Sequence, residues 1–190
     1  MKTSTRSTYH HGDLRAALLS AARALLDEGG VPAVSLREAA RRAGVSPAAT
    51  YRHFTDKDAL LVALAVQGFG EFADAMKASF EGAREPMADM GVAYVQFAVA
   101  RPGLFRLMFG PAVADRSKSP ELLEAIARAT QLFDSGMRTR RDVAPGDPVA
   151  ALRSWATMHG LATLAIDNML PGYDPVMLAQ ALAKKARQPG

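Results

Sequence analysis

The sequence predicts an all-α protein of about nine helices, with a helix-turn-helix head followed by a helical-bundle body. Three observations carry that prediction. Apolar residues recur at helical spacing, beginning with Leu14, Leu18, Ala21 and Leu25. Capping residues, Gly and Pro punctuate the chain where helices of ordinary length begin and end. No segment alternates with a period of two, and no internal repeat or low-complexity tract is present.

The elements follow in order. Asp13 is the expected cap of the first helix, and Gly29-Gly30 ends it. Ser35-Leu-Arg-Glu38 reads as a capping box opening a short second helix that stops before Gly44. Ser46-Pro47 opens a third, with a cap and Pro in the first turn, that ends near His53-Phe54. Asp56 caps a long fourth helix carrying Leu61, Ala65, Phe69, Phe72, Met76 and Phe80. Pro86 to Arg101 forms a fifth, Pro102-Gly103 breaks it, and the apolar piece Leu104 to Phe109 follows. Residues 110–119 read as a loop. Pro120 to Arg138 is amphipathic through Leu122, Ile126, Ala129 and Phe133. Val149 to Met169 is apolar around most of its circumference and is expected to be buried on several sides. Asp174 caps a last helix ending near Ala186.

Composition narrows the function classes. The chain has 190 residues, 49% of them apolar, and no Cys. Disorder would need fewer apolar residues, and a disulfide scaffold or a Cys-containing zinc site is excluded. No run reaches the roughly 18–20 consecutive apolar residues of a membrane span, and the opening MKTSTRSTYHHG has no apolar core of a secretory signal. The expected location is the cytoplasm. The net charge of +4 is unevenly placed. Residues 1–55 hold eight basic and four acidic residues, and the remainder holds fifteen of each. A basic head on a neutral body points to a polyanion partner for the head. The expected organisation is an arm over 1–12, a head over 13–55 and a body over 56–190.

The strongest local signal is residues 35–54, SLREAARRAGVSPAATYRHF. Two short capped helices meet at a tight turn. Ala39, Ala40 and Ala43 let them cross closely, Gly44 can take the positive φ of the turn, and Val45 can plug the gap. This is the pattern of a helix-turn-helix, whose second helix enters a DNA major groove. By pattern alone an ordinary αα-hairpin remains open.

Residues 13–64 closely resemble the DNA-binding domain of TetR-type transcription regulators. The resemblance rests on Leu25-Leu26…Gly29-Gly30, Ser35-Leu36-Arg37-Glu38, Ala43-Gly44-Val45-Ser46 and above all Thr50-Tyr51-Arg52-His53-Phe54…Lys57-Asp58-Ala59-Leu60. Tyr9-His10-His11-Gly12-Asp13-Leu14-Arg15, Arg101 to Phe109, and Trp155…His159-Gly160 resemble one branch of that family, named for a Trp-His-Gly motif in its ligand domain. The resemblance implies a homodimeric regulator with a ligand pocket, and it assigns DNA contacts to the third helix. Side-chain chemistry agrees. Tyr51 and His53 can donate to phosphates, and Lys57 supplies a cation. Thr50 can reach a phosphate or a base edge, and Pro47, Ala48 and Ala49 suit thymine methyls. Arg52 can read guanine, hold a phosphate or pair with a carboxylate. Arg37 and Arg42 are phosphate candidates or plain surface. The arm, with Lys2 and Arg6, is either unstructured or a minor-groove arm. His10-His11 lacks supporting ligands, so no metal site is expected.

The body holds no catalytic constellation: no GxSxG around Ser154 or Ser135, no HExxH and no phosphate loop. No enzyme activity and no cofactor are expected. His159 lies four residues from Trp155, on one helix face. It is either a satisfied buried histidine or a polar group in a pocket. The candidate pocket residues are Met76, Met90, Tyr94, Phe97, Phe105, Met108, Trp155, Met158 and His159. Such a Met- and aromatic-rich lining suits an adaptable apolar cavity. Helices 149–169 and 174–186 are the expected dimer interface, as a four-helix bundle. The function expected is a repressor that binds an inverted-repeat double-stranded DNA operator as a dimer and is released by a small, mostly apolar effector. The alternative is a regulator of the same fold whose body binds a partner protein.

Overall fold

The computed structural model describes residues 11–113 and 115–185. Among these residues every regular element is helical: nine α-helices and one 3₁₀ turn. Residues 1–10 of the expected arm, including Lys2, Arg6, Tyr9 and His10, lie outside the described residues. The chain forms two compact units that divide between Leu64 and Ala65. That division falls inside a helix, nine residues beyond the boundary expected at 55/56.

The first unit holds α1 (His11–Ala33), α2 (Leu36–Arg42), α3 (Pro47–Thr50) and the start of α4 (Lys57–Phe80). α1 already includes His11 and Gly12, so Asp13 lies within the helix rather than capping it; nothing in that pair stops the first turn. The helix breaks at Gly30, whose φ of 67° and ψ of −168° no side-chain-bearing residue takes readily. Ser35 caps α2 by accepting from the Glu38 N–H at 3.1 Å. The reciprocal half of the capping box is not made, because Arg41 takes the Glu38 carboxylate with two nitrogens. Gly44 has φ 69°, the left-handed turn expected there. Ser46 caps α3 through the Ala49 N–H. α3 is shorter than expected. After Thr50 the chain tightens, with Arg52 and His53 bonding back only three residues, to Ala49 and Thr50. Leu18, Leu26, Val34, Ala39, Ala40 and Leu60 are fully or almost fully buried and form this unit's core.

The second unit holds the rest of α4, then α5 (Pro86–Ala100), α6 (Pro102–Phe109), a 3₁₀ turn (Arg116–Lys118), α7 (Pro120–Arg138), α8 (Pro148–Ile166) and α9 (Pro175–Lys185). Pro102 opens α6 rather than merely breaking α5, since its missing N–H is no loss in a first turn. Asp147 caps α8 and Asp174 caps α9 through backbone N–H groups. α5 is the central helix, packed against α6, α7, α8 and α9. Val95, Ala98, Leu104, Leu107, Met108 and Leu122 form the core around it. α8 departs from expectation. Only Leu161 and Ala162 along it are buried, because it packs on α5 and α9 from one side. Val149, Leu152, Trp155 and Leu164 stay exposed, as do Tyr173 before α9 and Met177 and Leu182 on it. α4 is also the one helix among the described residues long and apolar enough to cross a membrane. Half of its most apolar stretch is buried in the protein.

Candidate DNA-binding head and ligand cavity

In the head, α2, the Gly44 turn and α3 present one exposed edge. Pro47 and Ala48 are exposed, Ala49 and His53 half-buried, and Tyr51 and Arg52 exposed, with Tyr51 at 60%. Thr50 is the exception. It is completely buried and its hydroxyl has no hydrogen-bond partner. The helix turn points it inward, so it cannot reach a phosphate or base edge in this arrangement. Phe54 is buried, with the Arg15 guanidinium 5.3 Å above its ring. This contact holds the segment after α3 against α1.

The head's cations sort into two groups. Arg42 forms a two-nitrogen pair with Glu28 at the end of α1, and Arg41 does the same with Glu38. Hydrogen bonds from these guanidinium groups hold both carboxyls below the usual carboxylate range. Among the described residues Arg37 and Arg52 have no such partner, and both are exposed. Lys57 donates from Nζ to the Val31 carbonyl at 3.0 Å, tying the start of α4 to the end of α1. Two of its three N–H bonds remain for an outside acceptor.

The body contains a cavity of about 520 Å³ between α4, α5, α7 and α8. Of the nine residues expected to line it, Met76, Met90, Tyr94, Trp155, Met158 and His159 do so. Phe97, Phe105 and Met108 do not. Phe97 stacks edge-on against Phe72 under Arg101, while Phe105 and Met108 are almost fully buried in the core. The structure also places Met87 in the lining and adds residues that the sequence did not single out for it: Phe69, Phe72, Gly91 and Phe109, and one side of α7 with Ile126, Ala129, Thr130 and Phe133. The only charges in the lining are one of each sign, Arg116 and Asp134, and Arg116 donates to the Gly110 carbonyl.

One polar pair stands in this apolar wall. The Tyr94 hydroxyl and His159 Nδ1 are 2.7 Å apart. His159 is surrounded by rings, with Phe109, Trp155 and Phe105 centred 5.1, 5.4 and 5.5 Å away. Burial pushes the Tyr94 phenol up and the His159 imidazole down, so both are neutral at pH 7. A neutral pair can offer a hydrogen bond to a ligand without burying a charge. Both open readings of His159 are met in part: it is satisfied by Tyr94, and it lines the cavity. Among the described residues no group of three or more His, Asp or Glu is placed to hold a metal.

A helix-turn-helix head joined to a helical body with a half-open, mostly apolar cavity defines a DNA-binding, ligand-binding transcription regulator. Residues 18–64 match the model of bacterial regulatory proteins of the tetR family, and residues 87–185 match the model of the tetracycline repressor-like C-terminal domain. The chain belongs to the TetR family. A protein of unknown function from Rhodococcus sp. RHA1 is 37% identical, with a TM-score of 0.82, over 95% of this chain and 96% of its own. A protein designated SCO4313 is 25% identical, with a TM-score of 0.75, over 94% of this chain and 97% of its own. The uncharacterized HTH-type transcriptional regulator YobS of Bacillus subtilis is 31% identical over 90 residues. That match covers 46% of this chain and 47% of YobS, so it spans about half of each.

Proposed function

We propose that this regulator is a cytoplasmic repressor that binds an inverted-repeat operator as a homodimer and leaves it when a small, mostly apolar effector fills the body. The observation that carries this reading is the cavity of about 520 Å³, a size suited to a small molecule, with mostly apolar walls, one neutral polar pair and one charge of each sign. It supports a small-molecule effector over a partner protein, which would need no such interior.

The proposed operator contacts are the exposed and half-exposed groups around α3. Arg37, Tyr51, His53 and Lys57 hold phosphates, while Pro47, Ala48, Ala49 and Arg52 face the bases. Thr50 leaves this set because it is buried. One four-residue helix reads few bases, so a two-fold pair reading half-sites about 34 Å apart is the economical arrangement. The exposed apolar residues of α8 and α9 supply the pairing surface. α4 is continuous from Lys57 to Phe80, carrying Lys57 at one end and the cavity residues Phe69, Phe72 and Met76 along the other. A ligand that shifts those side chains acts on the helix bearing the phosphate contact.

The test is selection of binding sites from random duplex DNA at about 150 mM salt, where non-specific binding is suppressed. Enrichment of an inverted repeat is expected. An effector found by screening should then lower operator affinity about 5–150-fold. Failure to enrich any sequence with folded protein, or an operator affinity indifferent to saturating effector, overturns the reading.

A further inference from the structure

A second cavity of about 620 Å³ adjoins the first. The two share Met87, Gly91, Ser154 and Met158 in their linings, so they are neighbouring compartments with a common wall. That wall is soft. Met87 and Met158 are unbranched and readily change rotamer. Gly91 leaves Met158 its room: a methyl group there would lie 3.3 Å from two of its atoms.

The compartments differ in charge. The first is apolar with one charge of each sign. The second is lined by Arg84, Arg140, Arg141, Arg153 and Lys185, five cations against the carboxylates of Glu85 and Asp142. Asp142 is spent on Arg140, which also donates to Ser154 Oγ at 3.1 Å on the shared wall. Elsewhere in the body cations are commonly matched: Arg101 with Glu71, Arg106 with Asp167, Lys118 with Asp115. Among the described residues Arg84, Arg141, Arg153 and Lys185 have no ion-pair partner, and they converge on this one cleft from the turn after α4, the loop after α7, α8 and α9. All four are exposed, so the cleft presents an excess of positive charge that an anion can match. Four of the five cations are arginines, whose planar forks match phosphate oxygens two at a time.

We infer that the body takes an amphipathic anion, with its apolar chain in the first cavity and a phosphate-bearing head on the arginines of the second. This rests on the reading of the body as an effector domain and names the chemical class of the effector. It also assigns Arg84, Arg141 and Arg153 as specificity residues.

Trp155 is the only tryptophan in the chain and lines the apolar cavity, so its fluorescence reports occupancy without DNA. The full-length protein is titrated with dodecyl phosphate and with dodecanol, both below aggregation, and with inorganic phosphate. Dodecyl phosphate should bind roughly tenfold tighter than dodecanol, and inorganic phosphate should compete weakly with it. The advantage should shrink towards about 1 M salt, where the screening length falls to about 3 Å. The double variant Arg84→Gln, Arg153→Gln replaces two exposed side chains outside the apolar cavity. It should erase most of that advantage and leave dodecanol affinity unchanged. Equal binding of the two probes, or an advantage untouched by the double variant, overturns the anionic head while the effector reading stands. Binding of neither chain-bearing probe overturns this inference, while the effector reading stands or falls with operator release.

Discussion

Single side chains decide which surface of the head is available. Thr50 and Tyr51 are adjacent, yet one is fully buried and the other mostly exposed. The buried Thr50 hydroxyl lacks a partner, and an unsatisfied buried group costs stability. Thr50→Val should therefore leave the melting temperature unchanged or raise it, and leave operator sequence preference as it was; an altered base preference would put Thr50 in the groove. Lys57 has two roles to separate. Lys57→Ala removes the bond to the Val31 carbonyl, costing about 1 kcal/mol in denaturant unfolding. It should also weaken all duplexes alike and flatten the salt slope by about one. Loss of stability with an unchanged slope would confine Lys57 to its structural bond. In the body, the Tyr94–His159 pair gives a pH dependence with a definite sign. The folded imidazole lies below 6.5, so the unfolded chain binds the proton more readily. Stability held above pH 6.5 is lost as pH falls through the folded value. The phenol, raised above 10, acts oppositely: stability held below pH 10 is lost as pH rises. Melting curves of His159→Gln should lack the acid-side loss between about pH 6.5 and the folded value while keeping the other acidic transitions.

At the scale of elements, helix ends carry the local specification. Ser35, Ser46, Asp56, Ser119, Asp147 and Asp174 each accept a backbone N–H in the first turn of the helix they precede. Such signals depend on the nearest four residues, so those at Ser35, Ser46, Asp56 and Asp174 were legible without a structure, whereas Ser119 and Asp147 read only as loop and turn residues. Two glycines mark the break within α1 and the turn after α2. Gly30 sits where only glycine is comfortable, so Gly30→Ala should cost about 1–3 kcal/mol. Gly44 is in the ordinary left-handed region with open space around its Cα, so Gly44→Asn should cost clearly less. Equal losses at the two sites would mean that the break at Gly30 is not the strained one. The length of α3 was not legible. Its residues do not differ in helix propensity enough to mark an end at Thr50, and packing around Thr50 and Phe54 decides it.

At the scale of the whole molecule, the exposed apolar residues of α8 and α9 are the feature that a single chain leaves unexplained. Leu164 and Met177 line neither cavity, are 45% and 66% exposed, and belong to the proposed pairing surface. Sedimentation should show a dimer for the unaltered protein and a shift towards monomer for Leu164→Glu with Met177→Glu, with operator affinity falling in parallel. A monomeric starting protein would remove the dimer from the proposal. The burial of α8 was misjudged for a physical reason: its apolar composition was read correctly, but it packs on α5 and α9 from one side only.

The sequence by itself determined the helical class, the order of the elements, the caps at Ser35, Ser46, Asp56 and Asp174, the basic head on a neutral body, and the motif around residues 35–60. All of these are local, because caps, glycines, prolines and 3.6-residue spacing act over one or two turns. Only the tertiary structure decided which side chains share a space. Phe69, Phe133 and His159 come from three helices far apart in the chain and meet in one cavity, while Phe105 and Met108, equally apolar, turn into the core. The convergence of Arg84, Arg141 and Arg153 was hidden for the same reason. A side chain's own chemistry says that it can line a pocket, but the rotation of its helix against its neighbours settles whether it does.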